Sequence, residues 1–266
     1  MANILVFDSG VGGLSVAQHI AAQHRHASII YLMDRQYFPY GQLDDQRLCS
    51  RVLQLCQAAL ANWPIDLIVI ACNTASTLAL PTLRAQLPVP IVGVVPAIKV
   101  AAERAGSSPI GLLATQATVQ RDYLSDLIAT HAPNHSVHRL GSAELVQWSE
   151  QWVYQQHYAS GIHELLSPWI NEHGLRHVVL GCTHFPLLTP QLQRDFPGVD
   201  WIDSGEAIAR RVGDVLANQV TSIAKSDTTE VGSLCLSWAG EAPDHEALRR
   251  FLVPWERAVH CQPLQT

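Results

Sequence analysis

The sequence predicts an α/β protein of two similar lobes, each a mostly parallel sheet flanked by helices, with the ligand site in the cleft between them. Three observations predict it. Short apolar runs (NILVF, SIIYLM, DLIVIA, PIVGVV, PIGLLAT, HVVLG and DWI) alternate with longer amphipathic stretches, the pattern of a parallel sheet covered by helices. Two of the runs end alike: DLIVIACNT in Cys72 and HVVLGCTH in Cys182, with Leu80-Pro81-Thr82-Leu83 after the first and Thr189-Pro190-Gln191-Leu192 after the second. VFDSG (6–10) and WIDSG (201–205) likewise both close a strand in Asp-Ser-Gly. No Gly/Ser linker, charge block or low-complexity tract divides the chain. Grouped by this repeat, residues 1–97 plus 207–266 form the first lobe and 98–206 the second.

Each element follows from its residues. NILVF is a first strand that meets Asp8 and then the glycine-rich FDSGVGGLSV. SIIYLM ends at Asp34, and LCSRVLQLCQAAL then places Leu48, Val52, Leu55, Cys56 and Ala59 on one helical stripe. DLIVIA ends at Cys72, PIGLLAT at Thr115, HVVLG at Cys182 and DWI at Asp203. Ligands of open parallel sheets bind at the carboxyl ends of strands, so these terminal residues are the ones to inspect. Cys49 and Cys56, seven apart on the helical stripe, read as core, as do Cys235 in the alternating GSLCLSW and Cys261.

Composition narrows the function classes. The chain has 266 residues, 48% hydrophobic and 15% charged, ample for a buried core. Net charge is -6, and the only lysines are Lys99 and Lys225, so no cationic stripe is available and nucleic acid is not expected as a partner. No apolar run approaches the ~20 residues of a membrane helix, and MANILVFDSG lacks the basic leader of a signal peptide. The six cysteines form no CxxC pair, which fits a reducing cytoplasm rather than a stapled secreted scaffold.

Cys72 and Cys182 differ from the other thiols because each leaves an apolar strand and enters polar residues ahead of a helix. Backbone amides at a helix start favour negative charge, and such a thiol is expected to fall from about 8.5 toward neutrality. His184, two residues after Cys182, reads as a thiol partner, a metal ligand or an ordinary satisfied histidine; a zinc site would need a third and fourth ligand, and the spacing shows none. In FDSGVGGLSV the last glycine of a dinucleotide fingerprint is replaced by Ser15, and a tight glycine turn accounts for the rest. Asp8-Ser9 reads equally as a functional strand tip or as a helix cap. Trp148 and Trp152, four apart, read as helix packing or a subunit contact.

Two thiols on opposing walls of a cleft suit inversion of an α-carbon, in which a base removes a proton from one face and an acid returns one to the other. Pyridoxal phosphate chemistry would need a Schiff-base lysine, and neither Lys99 nor Lys225 lies at a motif. The expectation is therefore a cofactor-free route through preorganised electrostatics and desolvation.

FDSGVGGLSV, DRQYFPYG (34–41), IVIACNTAS, IVGVVPA, LLATQATV, LGCTHFPLL and IDSGEAIARRV occur in that order. Together they resemble the landmarks of the glutamate racemases within the aspartate/glutamate racemase family. The resemblance spans residues 4 to about 215 and implies a cytoplasmic, homodimeric isomerase that interconverts L- and D-glutamate for peptidoglycan. It implies that Cys72 and Cys182 are the acid/base thiols, that Asp8 assists Cys72 and His184 assists Cys182, and that Asp34 and Glu150 are secondary polar groups. Substrate contacts carried over are Asp8, Ser9, Tyr40, Gly41, Asn73, Thr74, Thr183 and His184. Hydroxyls, amides and backbone N–H groups of this kind hold two carboxylates without an arginine clamp.

The chain departs from the family pattern at Tyr37-Phe38, expected to alter access to the site, and at Gln147-Trp148-Ser149 ahead of Glu150. It begins directly at the first strand, so regulation by a cell-wall precursor is not expected. The competing readings are an aspartate-type racemase, a thiol hydrolase with Cys182 as nucleophile and His184 as base, and a two-lobed binding protein without chemistry.

Overall fold

A computed structural model describes residues 1–219 and 230–265; Lys225 lies outside the described residues. The chain alternates strand and helix from its first residues: β1 (Asn3–Asp8), α1 (Leu14–Gln23), β2 (Ser28–Asp34), α2 (Asp45–Asn62), β3 (Leu67–Ile70), α3 (Asn73–Gln86) and β4 (Ile91–Gly93). There follow α4 (Ile98–Ala105), β5 (Ile110–Ala114), α5 (Gln116–Val119), α6 (Asp122–His131), β6 (Val137–Gly141), α7 (Glu144–Gln155), α8 (Ile162–Glu172) and β7 (His177–Leu180). The last part holds α9 (Thr189–Asp195), β8 (Asp200–Ile202), α10 (Gly205–Gln219), β9 (Leu234–Ala239), α11 (His245–Leu252) and β10 (Val259–Pro263).

Among the described residues the strands form two wholly parallel sheets, ordered β10-β9-β2-β1-β3-β4 and β6-β5-β7-β8. β1, β3, β5 and β7 are central and buried on both faces, which is why their sequences are unbroken apolar runs rather than alternating ones. The order β2-β1-β3-β4 repeats as β6-β5-β7-β8. Cys72 and Cys182 follow corresponding strands, β3 and β7, and the two Pro-containing motifs fall in the corresponding helices α3 and α9.

The Asp-Ser-Gly repeat has a different origin. Asp8 ends β1 and Asp203 follows β8, positions that the two sheet orders do not pair. What they share is a local turn in which the aspartate accepts the backbone N–H two residues on, from Gly10 at 2.9 Å and from Gly205 at 2.7 Å. Asp203 sits 3.9 Å from His19, outside the site described below.

The sheet of six is filled on its two faces by clusters around Ile4, Val6 and Tyr31 and around Phe7, Ile68 and Leu55. The stripe of α2 buries Leu48, Val52, Leu55, Cys56 and Ala59, and Asp44 caps the helix by accepting from the Arg47 N–H at 2.9 Å. Cys56 is fully buried, and with no polar partner its thiol is pushed up to about 12. Cys49, Cys235 and Cys261 are half-buried at the margins of the cores. Trp152 stacks on Tyr158 with ring centroids 4.4 Å apart and packs against the core clusters of both lobes. Among the described residues no helix is long and apolar enough to cross a membrane.

Candidate active site

The carboxyl ends of β1, β3, β5 and β7 converge on one pocket between the lobes. Cys72, Asn73 and Thr74 enter from the first lobe and Gly181, Cys182, Thr183 and His184 from the second. Ser9, Phe38, Tyr40 and Gly41 close it from the first lobe, and Thr115, Thr118 and Val146 from the second. The closed pocket measures about 30 Å³, room for about two waters, and an adjoining cavity of about 310 Å³ at its mouth runs past Phe38, Gln42, Gln116 and Gln147.

Cys72 is the N-cap of α3, as expected from the strand-to-helix step, but its acidity is not what the helix start alone predicts. Burial pushes the Cys72 thiol well up and the nearby Asp8 carboxylate pushes it further, while the Ala75 amide and the Ser9 hydroxyl pull the other way with less effect. A helix start lowers a thiol when water or a cation helps to hold the charge; at 7% exposure with an anion beside it, desolvation wins. Cys182 does not cap an α-helix. A single 3-10 turn over Phe185–Leu188 intervenes before α9, so the helix-start argument does not carry over to it.

What Cys182 has instead is His184. The imidazole Nδ1 lies 3.9 Å from its sulfur, and Nε2 donates to Glu150 Oε1 at 2.8 Å. Burial opposes charge on the ring, yet the hydrogen bonds to Cys182 and Glu150 and their charges outweigh it and hold the imidazolium well above the ordinary histidine range. With both nitrogens protonated the ring donates to sulfur and carboxylate together. The two walls are therefore unlike: one keeps a neutral thiol, the other sets a cation beside its sulfur.

Asp8 is fully buried and tied across the cleft. Its Oδ2 accepts from the Thr183 hydroxyl at 2.9 Å and its Oδ1 from the Gly10 N–H at 2.9 Å. Desolvation raises its carboxyl pKa above the ordinary value, with His184, Gly10 and Thr183 opposing and Glu150 adding. Its bonds run to Thr183, Gly10 and, at 3.4 Å, the Ser9 hydroxyl, and its action on Cys72 is through charge. Ser15 adds a second link between the lobes, donating to the Thr183 carbonyl at 2.8 Å.

The glycines of FDSGVGG answer to close approach rather than to turn geometry. A Cβ on Gly12 would lie 2.3 Å from His184 Nδ1, and one on Gly10 would lie 2.5 Å from Glu150 Oε1 and 2.8 Å from Phe38. Glu150 reaches the site from α7 and takes a second hydrogen bond from the Val11 N–H at 3.0 Å. Phe38 packs on the His184 ring with centroids 5.7 Å apart, so the departure at Tyr37-Phe38 forms a wall of the pocket. Tyr40 is almost fully buried and donates to Asp34 Oδ2 at 2.8 Å; Asp34 lies behind the wall and meets the pocket only through Tyr40.

Sequence reasoning missed Thr118. Thr118 follows Thr115 by one helical turn and shares a hydroxyl contact of 2.9 Å with it, a spacing that a strand-end search extended by one turn would catch. The Asn73 side-chain carbonyl is buried at the pocket without a partner, an acceptor open to a donor on a ligand. Among the described residues no group of three or more His, Cys, Asp and Glu is placed to hold a metal. Lys99 lies on α4 beside Glu103, at 4.0 Å, and does not line the pocket.

The family model described as Asp/Glu/Hydantoin racemase matches residues 12–212. The chain belongs to that family. The glutamate racemase of Shewanella loihica is 45% identical over 260 residues, covering 96% of this chain and 93% of that one. The glutamate racemase of Pasteurella multocida is 45% identical over 218 residues, 80% of each chain. Among solved structures, Escherichia coli glutamate racemase in complex with L-glutamate and the activator UDP-MurNAc-ala superposes with a TM-score of 0.88 at 36% identity, covering 100% of this chain and 99% of that one. The racemase family is thus shown over most of the length, with two parallel sheets flanked by helices, and the protein is an isomerase.

Proposed function

We propose that this racemase interconverts L- and D-glutamate without a cofactor, by proton transfer between Cys72, Cys182 and the α-carbon, and that it supplies D-glutamate for peptidoglycan in the cytoplasm. The observation that carries the reading is that two cysteines from corresponding strands of the two lobes line one pocket. A thiolate on one wall takes the α-hydrogen, leaving a carbanion, and the thiol on the other wall donates its proton to the opposite face. The roles exchange with the enantiomer. His184, held by Glu150, lends positive charge to the Cys182 side, and Asp8, held by Thr183, shapes the Cys72 side.

The rest of the pocket supports a small polar substrate. No lining residue is Arg or Lys, and the hydroxyls of Ser9, Thr74, Thr115 and Thr118 with the Asn73 amide supply the donors for two carboxylates. The substrate itself is supported by relatives named for glutamate, one of them holding L-glutamate. A homodimer belongs to the same reading on the family resemblance, and light scattering checks it.

The test is incubation of L-glutamate, D-glutamate and L-aspartate with the protein in deuterated water without added pyridoxal phosphate or metal, followed by NMR of the α-proton and by circular dichroism. Deuterium is expected at the α-carbon of both glutamate enantiomers together with decay of optical rotation to zero. Equal or faster exchange of aspartate overturns the substrate, and binding without exchange overturns the chemistry.

A further inference from the structure

We infer that Arg51, on α2 outside the pocket, is a positioning residue that clasps segment 34–41 and so sets the wall formed by Phe38, Tyr40 and Gly41. The inference rests on the racemase reading of the site for its kinetic arm. Asp34 is completely buried at the end of β2, and Arg51, only 12% exposed in its side chain, grips it bidentately: Nε to Oδ2 at 2.8 Å and Nη2 to Oδ1 at 2.9 Å. The same Oδ2 accepts the Tyr40 hydroxyl, so a single carboxylate couples the guanidinium to the pocket wall.

The clasp has further points. Arg51 Nη2 also donates to Gln36 Oε1 at 3.0 Å, and its guanidinium lies 4.8 Å from the Tyr37 ring centroid. Arg47 covers the same ring at 4.8 Å, one helical turn earlier. Gln36, Tyr37 and Tyr40 are thereby held to α2 at successive points along the segment, and Phe38, between them, rests on His184. A planar fork satisfies this geometry and an ammonium does not, because two parallel bonds to a carboxylate and a third to an amide need fixed donors.

The mechanism gives this clasp a kinetic consequence. Asp34 and Arg51 touch neither thiol, so loosening them displaces the wall that the substrate binds against, and weakens binding more than the chemical step. A misplacement of about 1 Å costs about a hundredfold in rate when it reaches the reacting groups; acting through the wall, the expected effect is smaller.

The experiment compares wild type, Arg51→Met, Arg51→Lys and the double variant Asp34→Asn/Arg51→Met by steady-state racemisation of glutamate and by iodoacetamide labelling of Cys72 read by mass spectrometry without substrate. Arg51→Met is expected to raise KM about tenfold for both enantiomers, with kcat changed by less than about threefold, and to speed Cys72 labelling about tenfold. Arg51→Lys recovers only part of either loss. The double variant removes the uncompensated buried carboxylate, so it serves if Arg51→Met does not fold, and its KM and labelling stay raised although its stability recovers. A folded Arg51→Met or double variant with wild-type KM and labelling overturns the inference. Absence of α-hydrogen exchange in the wild type, with labelling still faster in the variants, overturns the glutamate reading and leaves the clasp standing.

Discussion

His184 Nε2 donates to Glu150 Oε1 across 2.8 Å while the other ring nitrogen faces the Cys182 sulfur at 3.9 Å. Glu150 is itself fixed by the Val11 N–H of the first lobe, so the charge state of a second-lobe histidine depends on a contact that crosses the cleft.

Replacement of Glu150 by Gln should therefore act through His184. The amide still accepts a hydrogen bond but withdraws the negative charge that helps raise the imidazolium pKa. The alkaline limb of the kcat profile is expected to move to lower pH, with kcat at the optimum down about tenfold to a hundredfold. An unchanged profile would mean that the pair is structural only.

The same charge contributes to stability with a definite sign. His184 has a folded-state pKa raised above its unfolded value, so its contribution is fully present below about pH 6.5, the unfolded value, and is lost as pH rises through the folded value. Urea unfolding of His184→Gln against wild type is expected to show a deficit of about 1.5–3 kcal/mol at pH 6, the range for hydrogen bonds to charged groups. That deficit should shrink in strongly alkaline buffer. A deficit that grows with pH contradicts the assignment.

Gly12 has no space for a methyl group. Gly12→Ala brings a Cβ to 2.3 Å from His184 Nδ1, and the ring must leave its place between Glu150 and Cys182. Loss of kcat by about a hundredfold and of stability by about 1–3 kcal/mol is expected, measured by racemisation assay and thermal melts. Gly198→Ala, where nothing lies within 4 Å of the added carbon, is the comparison and should lose neither.

Cys72 and Cys182 separate the two-thiol reading from the thiol hydrolase. Cys72→Ala and Cys182→Ala should each lower racemisation by at least about a thousandfold, while α-deuterium exchange with retention survives for the one enantiomer that faces the remaining sulfur. Full activity in Cys72→Ala would leave that residue without a task and favour the hydrolase.

Because burial and Asp8 hold the Cys72 thiol up, its alkylation in wild type is expected to be slow at pH 7 and to accelerate steeply in alkaline buffer. Rapid labelling of Cys72 at pH 7 would restore the acidity that its helix-start position suggests. Mass spectrometry of the labelled peptides decides between them.

The parts of the molecule that were legible in the sequence are those written as unbroken apolar runs. β1, β3, β5 and β7 are buried on both faces, and their ends carry Asp8, Cys72, Thr115 and Cys182. β6 was not legible because Val137–Gly141 is half-exposed and carries His138 and Arg139 within five residues. β9 and β10 were not assigned as strands because a short alternating run such as LCLSWA in the tail carries no landmark of its own. In the site, Cys72, Cys182 and His184 were legible from local pattern. Arg51 was not, since an arginine on an amphipathic helix looks like an ordinary solvated charge until β2 and α2 pack and bring it to Asp34. For Cys72, local pattern contains the helix start but not the depth of burial or the neighbouring anion, both of which act against its acidity.

The unlike surroundings of the two sulfurs bear on what kinetics can differ between directions. Mirror-image amino acids have equal free energy in water, so for a racemase the ratio kcat/KM must be identical forward and backward whatever the protein does. A histidinium beside one sulfur and an aspartate beside the other can therefore shift turnover and saturation only in compensation. Whichever enantiomer this protein turns over faster must also need the higher concentration to saturate it.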